Sequence, residues 1–188
     1  MAVIAEPRKK SLWAFGTREV VFAAIGAALF AVFAFATNVL SLPGSGNVSI
    51  RPAVVIPMFF GVAFGPIVGF ISGFLGNILS DMLSGFGFWP WWDLGNGLLG
   101  FFTGLIAFSF LRFRDSRAIL KAELFVIVGV VVGMGIASIS ELWVSGVDVA
   151  TTFIQNFLPA AITDLIWGLV LLPILMVAYD AVVARSGR

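Results

Sequence analysis

The chain contains no cysteine and no histidine. Those two absences exclude disulfide scaffolds, thiol nucleophiles, zinc or haem sites that depend on either ligand, and every catalytic triad that needs an imidazole. Charge is nearly as scarce: Asp, Glu, Lys and Arg make up 11% of the 188 residues, against about 25% in ordinary soluble domains. The net charge is +1 and no basic, aromatic-laced patch occurs, so no nucleic-acid partner is expected. Motifs for hydrolytic chemistry are missing too. There is no Gly-x-x-x-x-Gly-Lys-Ser/Thr phosphate loop, no His-Glu-x-x-His pair and no Gly-x-Ser-x-Gly elbow, for which Gly69-Phe70-Ile71-Ser72-Gly73 is only a near miss. No metal, no cofactor and no enzymatic activity is expected.

What is present is apolar. Hydrophobic residues reach 60%, with 20 Phe, 6 Trp and a mean hydropathy of +1.08. The chain therefore reads as a single all-α integral membrane domain over residues 1–188. A membrane-crossing helix needs ~20 apolar residues, and runs occur at 20–42, 52–65, 66–84, 94–111, 119–144 and 153–184. The first is too long for a signal peptide and no small-residue cleavage site follows it. Six transmembrane helices are predicted. The second run rises only about 21 Å and is divided from the third by Gly65-Pro66 alone. The alternative, one kinked helix over 52–84, would reach about 50 Å, well beyond a hydrocarbon core of ~30 Å. Pro159 and Pro173 inside the last run predict a kink or an interfacial first turn.

Lysine and arginine give the orientation. With six crossings, Arg8, Lys9, Lys10, Arg18, Arg112, Arg114, Arg117, Lys121, Arg185 and Arg188 share one side, and Arg51 alone lies on the other. Both termini are then cytoplasmic. Five crossings would separate the two ends and scatter the bases.

Small residues at four-residue spacing mark helix faces that approach one another closely. Gly65, Gly69 and Gly73 continue into Asn77 and Asp81; Asn96 leads to Gly100 and Gly104; Gly129, Gly133 and Ala137 continue into Glu141; Asn156, Ala160, Asp164 and Gly168 form a fourth row. Each row turns polar in its outer half. Ionisable groups at membrane depth are tolerated where they face the bundle interior or a watery cavity, so these rows predict an outer polar cavity. For Asp93 and Asp148 the ordinary alternative is a cap at a helix end. Trp89, Trp91 and Trp92 flank Asp93, and Trp143 follows Glu141; such rings serve an interfacial belt or stack on a flat or cationic ligand. The first helix carries two small-residue lines, Ala23, Ala27 and Ala31 on one and Ala24 and Ala28 on the next, suited either to another protein's helices or to packing within the chain.

These residues resemble the substrate-binding S components of energy-coupling factor vitamin transporters, and of their branches most nearly the riboflavin-type. The resemblance rests on Ala23-x-x-x-Ala27, on Ser49-Ile-Arg-Pro-Ala-Val-Val-Ile-Pro running into the stretch from Phe64 to Asp81, and on Trp91-Trp92-Asp93-Leu-Gly-Asn-Gly-Leu-Leu-Gly-Phe. It implies a multi-pass subunit of a prokaryotic plasma membrane that binds a small-molecule vitamin on its outer side beneath the loop between helices one and two. It also implies a membrane scaffold (T) subunit and two cytoplasmic ATPase subunits as partners, with Ala23, Ala27 and Ala31 as the coupling face and residues 42–51 as the lid. The expected ligand-contacting residues are Asn47, Arg51, Asn77, Asp81, Trp92, Asp93, Asn96, Glu141, Asn156 and Asp164.

Charge narrows the cargo. Five outer acids face Arg51 alone, a field that disfavours biotin, folate, niacin and pantothenate. Riboflavin is favoured, with thiamine or its pyrimidine precursor next. A stand-alone proton-coupled carrier or channel using Asp81, Glu141 and Asp164 is the alternative, although no inverted repeat is evident. Asn77→Ala and Asp164→Asn are expected to weaken binding with the fold intact, and Ala27→Trp to abolish uptake with binding intact.

Overall fold

The computed structural model describes residues 11–38, 40, 42–45 and 48–185. Six helices alternate in direction: α1 (Thr17–Thr37), α2 (Val55–Phe64, entered through a tighter turn at Pro52–Val54), α3 (Pro66–Ser84), α4 (Pro90–Gly104), α5 (Ser116–Val144) and α6 (Val149–Arg185). Four of them, α1, α3, α5 and α6, are long and apolar enough to cross a membrane unaided, and Pro52–Phe64 is a shorter apolar helix. With 15 residues, α4 rises only about 22 Å.

The predicted break after residue 65 is present. Gly65 adopts φ 111°, a left-handed backbone that a side chain resists, and Pro66 starts α3 without needing the hydrogen bond it cannot donate. Other boundaries differ from the sequence reading, and each difference has a local cause. Helix one ends at Thr37 rather than 42, because Asn38 leaves the helix to bond with α3. Helix four begins at Pro90 rather than 94, which puts Trp91, Trp92 and Asp93 on its first turn instead of in a loop. It ends at Gly104 rather than 111, where the chain lies against the Gly65-Pro66 hinge: a Cβ on Gly104 would sit 2.4 Å from Pro66 Cα. The last helix starts at Val149 and widens to a π-helical stretch over Thr152–Phe157. Pro159 just beyond has no N–H to donate to the preceding turn, and a π bulge absorbs that loss.

Backbone contact between glycines holds α2, α3, α4 and α5 together. A Cβ on Gly69 would lie 2.3 Å from Gly100 O, one on Gly61 2.2 Å from the same oxygen, and one on Gly95 2.7 Å from Gly133 O. None of these obstacles is a side chain that could swing away. Gly69→Ala is therefore expected to destabilise the bundle by at least ~1–3 kcal/mol, read as a lower melting temperature in detergent. Gly135→Ala, whose nearest neighbour is Phe157 Cε2 at 4.0 Å, serves as the tolerated control.

The packing of α1 corrects one expectation. Ala23, Ala27 and Ala31 are buried within the chain, not presented as a face for another protein. Ser72 Oγ donates to Ala23 O, and Gly76 packs closely on Ala27 O and Phe30. The neighbouring line, Ala24 and Ala28, is exposed. The line of Ala23 and Ala27 is buried against α3, whose Ser72 and Gly76 lie opposite it.

One end of the bundle gathers Arg18, Arg112, Arg114, Arg117, Lys121 and Arg185 at helix termini and the α4–α5 connection. There Asp180 accepts the Phe113 N–H at 2.9 Å and pairs with Arg114 at 3.6 Å. Tyr179 meets Phe59 and Phe113 edge-on beside them. The opposite end opens into a cavity.

Candidate functional site

The cavity has a volume of ≈ 320 Å³. Its lining includes Arg51, from the segment leading into α2; Asn77 and Asp81, one turn apart on α3; Trp92 on α4; Glu141 on α5; and Asn156, Ala160 and Asp164 on α6. Seven of the ten expected residues thus meet in one place. Asp93 and Asn96 do not line it: both are fully buried behind the wall, on α4. Asn47 lies outside the described residues.

The polar groups fall into two sets. Those of the first are committed to one another. Arg51 Nη1 donates to Asn77 Oδ1 at 2.8 Å, and Asn77 Nδ2 donates to Asp81 Oδ2 at 2.9 Å and to Asp93 Oδ1 at 2.8 Å. Asn77 thereby links a cation to two carboxyl groups. Across the cavity, Trp92 Nε1 donates to Glu141 Oε1 at 2.7 Å, and the Ser145 hydroxyl donates to Glu141 Oε2. These bonds draw α2, α3, α4 and α5 around one space.

The second set is uncommitted. Asp164 is 3% exposed, lines the cavity, and its Oδ2 is buried without a hydrogen-bond partner. Asn156, in the π stretch, also lines the cavity and makes no side-chain hydrogen bond among the described residues. Buried polar groups without partners are uncommon, and those in a cavity wall are available to a ligand. Among the described residues no hydrogen bond joins Asp81, Glu141 and Asp164 to one another, so they form no continuous relay.

Aromatic residues divide in the same way. Trp92 and Trp89 line the cavity together with Phe86. Trp91 and Trp143, 38% and 59% exposed, meet edge-on at 5.8 Å on the exposed surface of the bundle and suit an interfacial belt. The two acids that could have been ordinary caps separate as well. Asp93 is a buried partner of Asn77, whereas Asp148 caps α6, accepting from Ala150 N at 2.9 Å and from Thr151 N at 3.1 Å. Hydrogen bonds from the Thr151 hydroxyl and backbone hold the Asp148 carboxyl below the usual carboxylate range. A depressed carboxyl supports its helix at neutral pH and loses that role as pH falls through the lowered value. Asp148→Ala is expected to speed amide exchange at Ala150 and Thr151 at pH 7, and the difference from wild type should vanish in acid.

Three lining residues were missed by sequence reasoning, Asn38, Phe86 and Ser145, while Val48 and Ser49 fall in the 42–51 stretch expected as the lid. Asn38 Nδ2 donates to Ser80 Oγ at 3.0 Å and to Ser84 Oγ at 2.8 Å, while Asn38 O accepts from Ser49 Oγ at 3.1 Å. The chain after α1 is clasped to the C-terminal end of α3 through these bonds. The signal was a lone Asn in the run Phe-Ala-Thr-Asn-Val-Leu, opposite serines spaced one helical turn apart.

The family model for the S component of an ECF-type riboflavin transporter matches residues 14–181. Similar proteins include a UPF0397 protein of Vibrio atlanticus, 32% identical over 91 residues (48% of this chain and 49% of the relative). A UPF0397 protein of Aliivibrio salmonicida is 31% identical over 123 residues (63% and 66%). A third, from Photobacterium profundum, is 40% identical over 87 residues (46% of each chain). The chain spans about half the length of most of these curated relatives.

Proposed function

The chain belongs to the family of ECF-type riboflavin transporter S components, and from that premise we propose that it is the high-affinity binding subunit of an ATP-driven vitamin transporter whose cargo is riboflavin. As a transporter S component it is a multi-pass membrane protein and not an enzyme. The observation that carries the cargo assignment is the cavity, closed in by Trp89, Trp92 and Phe86 and still holding unspent polar groups. At ≈ 320 Å³ it stands at the small end of ligand pockets, room for one flat vitamin. Indole and phenyl faces stack on a fused heterocycle. Asp81, Glu141 and Asp164 outnumber Arg51, which disfavours ligands that carry carboxylates or phosphates.

Energy comes from partners, because the chain has no phosphate-binding loop of its own. Those partners are a membrane scaffold (T) subunit and two cytoplasmic ATPases. The concentration of bases at the end opposite the cavity supports cytoplasmic termini and a cavity open to the outside. On α1 the exposed Ala24 and Ala28 are available to the scaffold.

The test is titration of the purified, folded protein with riboflavin, followed by tryptophan fluorescence. Saturable quenching with one site per chain is expected. An absent flavin signal, or quenching by thiamine alone, overturns the riboflavin assignment. Uptake in cells is expected to require the ATPases; uptake that persists without them would instead identify a proton-coupled carrier.

A further inference from the structure

Resting on the reading of this cavity as a flat-heterocycle site, we infer that Asp164 is the specificity-determining residue and that it reads a ring N–H lying next to a carbonyl, with Arg51 donating to that carbonyl. Most polar side chains at the cavity already have partners. Asn77 has both ends of its amide occupied, Glu141 has both oxygens occupied, and Asn38 is engaged by Ser80 and Ser84. At the cavity, that leaves the Asp164 carboxyl, the second oxygen of Asp81, the Asn156 amide and the further N–H groups of Arg51, and of the two acids it is Asp164 that holds a buried oxygen with no partner.

Arg51 and Asp164 both line the cavity, yet no ion pair within 4.0 Å joins them among the described residues. A donor group and an acceptor group therefore face the same space with a gap between them. A ring edge that presents a carbonyl to the donor and an adjacent N–H to the acceptor fills that gap with both bonds made. A carbonyl-only edge would leave Asp164 facing an oxygen. The imide edge of a pyrimidinedione ring, an N–H between two carbonyls, has the required order, and riboflavin carries one such N–H at N3.

Position along α6 fixes the orientation. Asn156 lies eight residues nearer the helix start than Asp164, about 12 Å by helical rise. The two cannot serve one ring edge. The imide edge enters first and rests at Asp164, Trp89 and Trp92 flank the rings, and the polar side chain of the ligand reaches Asn156 nearer the mouth.

The chemistry is tested by comparing riboflavin with N3-methylriboflavin on the wild-type protein, which needs no variant to fold. A site built to accept a specific N–H rejects an analogue lacking it. The methylated flavin is expected to bind at least ~100-fold more weakly. Equal binding of the two flavins overturns the inference and leaves the riboflavin reading standing. Failure of riboflavin itself to bind folded protein overturns both. As a second arm, Asp164→Leu removes an unpartnered carboxyl without emptying the site. Its ligand-free melting temperature is expected to equal or exceed wild type, while discrimination between the two flavins falls to within ~3-fold. Discrimination retained in that variant would also overturn the assignment.

Discussion

Asn77→Ala is expected to abolish high-affinity binding and to lower thermal stability in the same protein. Asn77 is 1% exposed and joins three partners at once, Arg51 through its oxygen and Asp81 and Asp93 through its nitrogen. Alanine removes all three bonds and supplies nothing in return. Asp93 then loses its only side-chain partner at full burial, where its Oδ2 already lacks a hydrogen bond. Removing one member of a buried charged network costs about 3–5 kcal/mol, because the remaining groups stay desolvated. The same loss frees Arg51, whose side chain is held at the cavity wall by the Asn77 oxygen. A fall in melting temperature together with an at least ~100-fold weaker riboflavin affinity is the expected result, on the scale of the network energy. A variant that melts like wild type would show that Asn77 does not organise the site. The sequence alone led to the expectation of weaker binding with an intact fold, which the three-way bonding of Asn77 revises.

The second large effect concerns uptake rather than binding. Ala28→Trp is expected to reduce transport to background while leaving the riboflavin titration unchanged. Ala28 is exposed on α1, one turn beyond Ala24, and a smooth face of this kind permits close approach of a partner helix. An indole there holds the scaffold away without touching the cavity, which lies at the far end of the bundle interior. Ala27→Trp is the contrasting variant. Ala27 is buried against α3, where Gly76 already packs on its carbonyl oxygen, so that substitution is expected to unfold the α1–α3 contact and lose binding and uptake alike. Normal uptake by Ala28→Trp would remove this face from the coupling surface.

The difference between Ala27 and Ala28 illustrates what the sequence could convey. Composition and the length of apolar runs were enough for the six helices, and the i, i+4 rows put Asn77 with Asp81 and Asn156 with Asp164 on shared faces, because helical periodicity determines which residues of one helix share a face. Which of two adjacent alanine lines faces inward depends on the partner surface of α3, with Gly76 and Ser72 opposite, and that is a tertiary property. Asn38 was hidden for a related reason: an apolar run does not mark where a helix gives way to a side-chain clasp on a distant helix. Likewise, Asp93 and Asp148 look alike as acids near helix starts. One is buried beneath Asn77 and the other caps α6 in the open, a distinction set by the packing of α4 against α3 rather than by local spacing.

The cavity itself can be tested by filling it. Ala160 lies on its wall between Asn156 and Asp164, one turn from each, and a larger side chain there projects into the space that the ligand would occupy. Wild-type protein and Ala160→Trp, both purified from riboflavin-containing medium and shown to be folded, are extracted and the released small molecules are quantified by mass spectrometry. One equivalent of riboflavin per wild-type chain, and none from Ala160→Trp, is the predicted result. Equal riboflavin from both proteins, or none from the wild type, would contradict a vitamin site in this cavity.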